Sequence, residues 1–268
     1  MSIADFDVLF FDLDGVVYIG AEQVHGASAA IQSARQQGAR CIFVTNNASR
    51  TPDEVASHLR ALGVPAQRED VITASMAGAT LVSEFIESGE VLAIGGEGVP
   101  AALRDRGFTP VSTFTESVRA VMQGYGPHVG WRDLAEATFA VRAGVPWIAT
   151  NLDSSFPTIR GIAPGNGALV NVVAQTAGRR PDAVAGKPEP ALLQEAIRRS
   201  GAVRPLMVGD RLDTDIAAGS RLGMPTLLVA TGISSLAEAQ AATGELRPTY
   251  MAEDLSCLLP DRHFLAVP

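Results

Sequence analysis

The chain has 268 residues, 47% of them hydrophobic and 19% charged, which suits one large folded domain or two smaller ones and excludes a disordered chain. A formal net charge of -8 argues against nucleic acid or an anionic membrane as the main partner, while leaving room for an anionic substrate at a locally basic site. Cys41 and Cys257 stand at opposite ends, acids occupy positions 5 and 7 where a signal peptide would be basic, and no apolar run reaches the length of a membrane span, so a soluble protein of the reducing cytoplasm is expected.

The first stretch, FDVLFFDLDG from Phe6 to Gly15, sets the pattern. The unbroken apolar run Val8 to Phe11 suits a strand buried on both faces of a parallel sheet, with Asp12 and Asp14 at its carboxyl end and Gly15 for the turn. Open α/β sheets bind ligands at such ends. Two acids one residue apart at the mouth of an apolar strand are costly unless a hard cation uses their charge. The spacing then predicts a helix over 26–37 and a strand over 40–44, ending in the polar cluster Thr45, Asn46, Asn47, Ala48, Ser49 and Arg50. Thr51, Pro52 and Glu54 read as the capped start of a helix running to Leu62. A brief strand over 71–74 and a helix over 77–87 follow.

From Val91 a strand and helix series begins again: strand VLAI, turn GGEG at Gly95 to Gly98, helix to Arg106, strand VRAVMQG, helix WRDLAEATFAVRAG, strand PWIAT. Such a restart marks a second unit. Residues 151–166, NLDSSFPTIRGIAPGN, read as one long loop before a helix over 167–177, and loops of that length often carry function. After the break GKPEP at Gly186 come a helix to about Ser200, a buried strand from Leu206 ending in Gly209 and Asp210, a short helix in RLDTDIAAGSRLG, the strand PTLLVA, and a last strand and helix around 249–259. The expected fold class is α/β: a Rossmann-like doubly wound parallel sheet as a discontinuous core, residues 1–80 and 184–268, with an α/β cap, residues 81–183, inserted into it.

A doubly wound sheet would bring Asp12 and Asp14, Thr45 and Asn46, Lys187, and Asp210 with Asp213 and Asp215 to one edge. These residue types suit phosphoryl transfer. One carboxylate can attack phosphorus, a second can protonate the leaving oxygen and deprotonate water, and magnesium needs a further acid such as Asp210 to hold it. The hydroxyl and amide at Thr45 and Asn46 and the Lys187 ammonium would meet the remaining phosphoryl oxygens.

DLDG from Asp12, TNN from Thr45, GKPEP from Gly186 and GDRLDTD from Gly209 together resemble the four ordered motifs of the haloacid dehalogenase superfamily, and the insert between the second and third is similar to the large cap of its NagD-like phosphatases. The resemblance implies Asp12 as nucleophile and Asp14 as general acid and base, with magnesium held by the Asp12 side chain, the Asp14 main-chain carbonyl and Asp210, and Asp215 supporting Asp210 from behind. It further implies that Thr45 and Asn46 contact the phosphoryl group with Asn47 nearby, and that Lys187 neutralises it. The long cap loop reads the leaving group in that branch, which makes Arg160, beside Asn151, Asp153 and Ser154, either a substrate contact or an exposed loop arginine.

The activity implied is magnesium-dependent hydrolysis of a small phosphorylated metabolite, with glycerol 3-phosphate or 2-phosphoglycolate as candidates and p-nitrophenyl phosphate as an artificial substrate. A receiver-like phosphoacceptor, or a catalytically silent phosphate-binding protein, is the alternative, though a large insert speaks against a receiver. Neither nucleic acid nor membrane is expected as a partner, and the oligomeric state stays open, a homodimer included. A calcium loop does not fit, because the glycine is fourth rather than sixth and Gln23 stands where its final Glu belongs. His25, His58, His128 and His263 lack metal-ligand spacing, Asp213 reads as a helix cap, and Trp131 and Trp147 read as core of the insert.

Overall fold

The computed structural model describes residues 3–158, 160–260, 262 and 264–267, so His263 lies outside the described residues. The chain divides into two compact units, one made of Met1–Thr45, Asp53–Ile72 and Lys187–Pro268, the other of Asn46–Pro52 and Thr73–Gly186.

In the first unit the strand Val8–Phe11 is buried at every position and lies mid-sheet. The seven strands run in the order Leu265–Ala266, Tyr250–Ala252, Thr226–Val229, Pro205–Gly209, Val8–Phe11, Arg40–Thr45 and Val71–Thr73. Pairing from Arg40–Thr45 across to Tyr250–Ala252 is parallel, and Leu265–Ala266 closes that edge antiparallel. Side chains alternate across the sheet: Leu227 and Val229 join Leu9, Phe11 and Phe43 in a core shared with the helices Ala27–Gln36 and Pro52–Ala61, while Leu228 packs with Ile216, Ala239 and Met251. A sheet buried on both faces in this way is the doubly wound arrangement that the apolar strands predict.

The second unit holds a five-stranded parallel sheet in the order Ala183–Val184, Trp147–Ala149, Val118–Gln123, Glu90–Ile94 and Thr109–Val111, with the helices Ala74–Phe85, Gly98–Asp105, Trp131–Arg142 and Asn166–Ala177. Its GGEG turn is glycine-rich for a reason of close approach. A Cβ on Gly96 or Gly98 would collide with the backbone of Ser49 or of Ala48 and Arg50, and the Gly98 amide donates to the Ser49 carbonyl at 3.1 Å.

Three expectations need correction, and two elements were not anticipated. Residues 151–166 are not one irregular loop: Ser155–Thr158 and Gly161–Pro164 pair as an antiparallel hairpin. Pro157 and Pro164 argue against strands in a sheet interior, but a two-stranded ribbon consists only of edges, where proline is tolerated. Trp147 is fully buried, yet Trp131 is 84% exposed, because its helix buries the face of Ala137, Ala140 and Val141 and leaves Trp131 and Phe139 on the opposite stripe. Asp213 caps no helix, since its carboxylate takes two hydrogen bonds from Arg211 at 2.8 and 3.0 Å. A helix at Leu236–Ala241 and a strand at Thr109–Val111 were not anticipated, although Ser235 and Glu238 form the reciprocal cap that would have announced the helix.

Candidate active site

Three neighbouring strands end together. Phe11 is in register with Phe43 on one side and Val208 on the other, so Asp12, Thr45 and Asp210 emerge within two residues of a common line. The Asp12 amide extends the ladder by donating to the Val208 carbonyl at 2.9 Å. Asp14 stands two residues on, exposed, in a tight turn where the Val17 and Tyr18 amides donate to the Leu13 carbonyl and the Gly15 amide to the Tyr18 carbonyl. Gly15 has a φ of +85° and a Cβ there would lie 2.5 Å from Asp210 Oδ2, so both the turn and the neighbouring acid require glycine.

Lys187 reaches this line from the start of the segment that returns to the first unit. Lys187 is 3% exposed, and its ammonium donates to Asp12 Oδ1 and Asp215 Oδ1, each at 2.6 Å, and to the Val44 carbonyl at 3.4 Å. Burial by itself would lower the lysine pKa, but the two carboxylates more than offset it and hold the group charged, above the ordinary lysine value. Asp210 accepts from the Ile233 amide through Oδ2 at 2.8 Å, while its buried Oδ1 has no hydrogen-bond partner. Burial, and then the charge of Asp215, push its pKa to about 7 against the opposing effects of the Ile233 amide and Lys187. Burial likewise raises Asp12 well above its ordinary value, opposed by Lys187 and reinforced by Asp215 and Asp210.

Carboxylate oxygens of Asp12, Asp210 and Asp215 lie within 4.8 Å of one another. Three hard oxygen donors around one partnerless buried oxygen, faced by a single ammonium, fit a small divalent cation such as magnesium. The set is held tightly. Cβ atoms on Gly209 or Gly232 would run into the Asp215 and Asp210 carboxylates respectively, and Thr231 Oγ1 donates to the Gly15 carbonyl at 2.6 Å. Sequence reasoning missed the segment Thr231 to Ser234, which supplies the Ile233 amide to the Asp210 side chain and the Ser234 amide to the Asp210 carbonyl. Its position just beyond the strand Thr226–Val229 was the available signal.

Asn46 and Asn47 belong to the second unit. Asn46 Nδ2 donates to the Asp153 carboxylate at 3.2 and 3.4 Å, and Asn47 Oδ1 closes its own loop by accepting from the Ser49 amide and hydroxyl at 2.9 and 2.7 Å. Arg160 sits exposed at the tip of the hairpin, its amide donating to Thr158 Oγ1 at 3.2 Å. Neither cysteine offers a competing nucleophile, because both are buried and burial raises their thiols to about 11 at Cys41 and about 12 at Cys257. No helix among the described residues is long and apolar enough to cross a membrane.

Comparison with known proteins gives the same picture from another direction. Residues 9–109 match a family model described as haloacid dehalogenase-like hydrolase, and residues 184–258 match one described as HAD-hydrolase-like. A D-glycerol 3-phosphate phosphatase of Mycobacterium tuberculosis is 45% identical over 99% of this chain and 75% of its own length. An acid sugar phosphatase of Staphylococcus aureus is 37% identical over 94% of the chain and 96% of its own length. Among solved structures, the glycerol phosphate phosphatase of M. tuberculosis in complex with magnesium superposes with a TM-score of 0.91 at 44% identity, covering 97% of this chain and 79% of that one. A thermostable NPPase variant from Geobacillus stearothermophilus gives 0.86 at 36% identity, covering 97% and 99%.

Proposed function

The chain belongs to the haloacid dehalogenase-like hydrolases, and from that membership we propose that Asp12 is the nucleophile of a phosphatase, Asp14 its general acid and base, and glycerol 3-phosphate its substrate. The enzyme is a magnesium-dependent phosphatase of small phosphorylated compounds. What carries the residue assignment is the buried Lys187 ammonium clamped between Asp12 and Asp215 beside the partnerless oxygen of Asp210.

Asp12, Asp210 and the Asp14 main-chain carbonyl would hold the cation, with Asp215 fixing Lys187 and, through Oδ2, accepting from the Arg211 amide at 3.1 Å. Magnesium, when bound, supplies positive charge to the phosphoryl oxygens and so permits an anion to approach a carboxylate. Lys187 occupies Asp12 Oδ1, which leaves Oδ2 to form the bond to phosphorus while the bond from phosphorus to the alcohol oxygen breaks. Asp14 gives its proton to that oxygen, then takes one from the water that cleaves the acyl phosphate, so Asp12 is regenerated and inorganic phosphate leaves. Thr45 and Asn46 bind the phosphoryl oxygens from the end of the strand Arg40–Thr45, with Asn47 shaping the loop behind them. In this reading the second unit serves as the cap, and Arg160, at the tip of its hairpin, is the candidate contact for the leaving group.

Glycerol 3-phosphate is preferred over 2-phosphoglycolate on the strength of the 45% identical relative. A small phosphorylated metabolite is the proposed partner, and the cytoplasm the proposed compartment, in keeping with two free buried cysteines. Hydrolysis of p-nitrophenyl phosphate with and without magnesium, for wild type and Asp12→Asn, tests the assignment. Turnover is expected to need the metal and to fall by at least about 1,000-fold in the variant, as for other removed nucleophiles. Turnover that survives Asp12→Asn refutes the nucleophile, and a stoichiometric stable phosphoform without turnover points to a phosphoacceptor instead.

A further inference from the structure

Asp14 is exposed, so its position follows from the backbone of its turn, and that turn is closed largely by one residue, Tyr18. The Tyr18 amide donates to the Leu13 carbonyl at 3.1 Å, its carbonyl accepts from the Gly15 amide at 2.8 Å, and Asp14 and Tyr18 form a parallel bridge. Both backbone groups of Tyr18 therefore grip the residues on either side of Asp14. Thr231 Oγ1 adds a further tie at the Gly15 carbonyl. The Tyr18 side chain is 2% exposed, in the core that holds Val17, Val55 and Leu59. Its ring stands edge-on to the His58 imidazole, with centroids 5.1 Å apart and planes at 78°.

His58 lies on the helix Pro52–Ala61, and Leu62 follows it by four residues, about one turn along the same face. The Leu62 carbonyl accepts from Gln23 Nε2 at 2.9 Å, and Gln23 is the cross-strand partner of Tyr18 in the hairpin of Tyr18–Ile19 and Glu22–Gln23. One helix face therefore carries both strands of the hairpin, Tyr18 at His58 and Gln23 at Leu62. All of these residues belong to the first unit. An edge-to-face pair prefers an angle as well as a distance, which an aliphatic contact does not, so it fixes the tyrosine ring and with it the backbone that closes the turn.

We infer that His58 is a positioning residue: through the Tyr18 ring it fixes the turn that holds Asp14 ready to give a proton to the leaving oxygen. The inference rests on the reading of Asp14 as general acid and base and deepens it. Its consequence depends on the leaving group. The alkoxide of glycerol is too basic to leave without a proton, whereas p-nitrophenolate leaves readily as the anion, so a displaced Asp14 slows the first and spares the second. Because kcat/KM reports only the steps up to release of the alcohol, it isolates this acid role from the later base role.

The test compares kcat/KM for glycerol 3-phosphate and p-nitrophenyl phosphate, at saturating magnesium, in wild type, His58→Ala, His58→Phe and Asp14→Asn. His58→Ala, which puts the best helix former into a helix, is expected to lose about 10- to 100-fold on glycerol 3-phosphate, the scale of a catalytic group misplaced by about 1 Å, and under about 3-fold on p-nitrophenyl phosphate. His58→Phe keeps a ring against Tyr18 and should return glycerol 3-phosphate to within about 3-fold of wild type. Asp14→Asn should show the same selective loss, and a larger one. Activities that fall alike on both substrates in His58→Ala overturn the inference and leave His58 a structural residue, and so do activities that stay unchanged. His58→Phe behaving as His58→Ala overturns it too, because the ring contact is then not the cause. An equal loss on both substrates in Asp14→Asn refutes instead the acid role of Asp14, and wild type that hydrolyses neither substrate refutes the phosphatase reading itself.

Discussion

Replacing Asp210 by asparagine should stabilise the metal-free protein at neutral pH while removing its response to magnesium. Asp210 has a pKa of about 7 in the folded chain against an ordinary 3.8, because it is buried beside Asp215 with one oxygen unpartnered. A raised folded-state pKa favours the protonated form, so the stability this group contributes is fully present below 3.8 and lost as pH rises through about 7. At 1.36 kcal/mol per pKa unit the full shift corresponds to roughly 4 kcal/mol, and sharing of protons with Asp12 reduces the part felt at this site to about 2–4 kcal/mol. Asparagine keeps an acceptor for the Ile233 amide, and its own amide gives Asp12 or Asp215 a donor. In chelator, urea unfolding between pH 5 and 8 should show wild type losing stability and Asp210→Asn losing up to about 2.7 kcal/mol less, the part of the shift that falls between pH 5 and about 7. Other carboxylates such as Asp213 and Glu195 have lowered pKa values, so they are ionised throughout and leave that window flat. Added magnesium should raise the midpoint of wild type only, by about 2.7 kcal/mol at a hundred times its Kd. A metal-free wild type equally stable at pH 5 and pH 8, or a variant that still gains stability from magnesium, refutes the reasoning.

Lys187→Met strands Asp12 and Asp215 without their shared ammonium, and should cost about 3–5 kcal/mol of unfolding free energy at pH 7 in chelator, the usual penalty for breaking a buried ion pair from one side. A loss under about 1 kcal/mol in urea titrations would mean that the acids there are neutral. Gly232→Ala pushes a methyl group onto Asp210 Oδ2 and should weaken magnesium binding by about 10- to 100-fold, read as the metal concentration needed to shift the thermal midpoint. Unchanged affinity would show that the Asp210 carboxylate is free to move.

The core strands were legible because their evidence is local: four apolar residues in a row at Val8–Phe11, then an acid, can be read without knowing what lies beside them. The strand ends converge because the parallel register places Phe11, Phe43 and Val208 abreast, and that too follows from the βαβ pattern. What failed to show depends on non-local contact. The glycines of GGEG read as a turn, whereas the backbone of residues 48–50 pressed against them is why no side chain fits. Trp131 reads as core by composition, and only the angular position of its helix puts it outside. The link from Asn46 to Asp153 spans more than a hundred residues of sequence and has no periodic signature. The Leu236–Ala241 helix is different, since Ser235 and Glu238 stated its start in plain view.

The distribution of charge explains why this arrangement persists despite its cost. Three carboxylates meet one ammonium, all four mostly or fully buried, and a fold selected for stability alone would remove the surplus acid. Instead Gly15, Gly209 and Gly232 press their backbones against Asp210 and Asp215 and prevent the acids from turning away to find other partners. Without a cation, burial and then the neighbouring carboxylates raise the pKa values of Asp12 and Asp210, while Lys187 stays charged. A divalent cation would offset that shift and leave Asp12 ionised, the form that the proposed attack on phosphorus requires. The surplus that weakens the metal-free fold is therefore the same quantity that would draw the metal in and arm the proposed nucleophile, and relieving it by mutation should trade activity for stability at this one site.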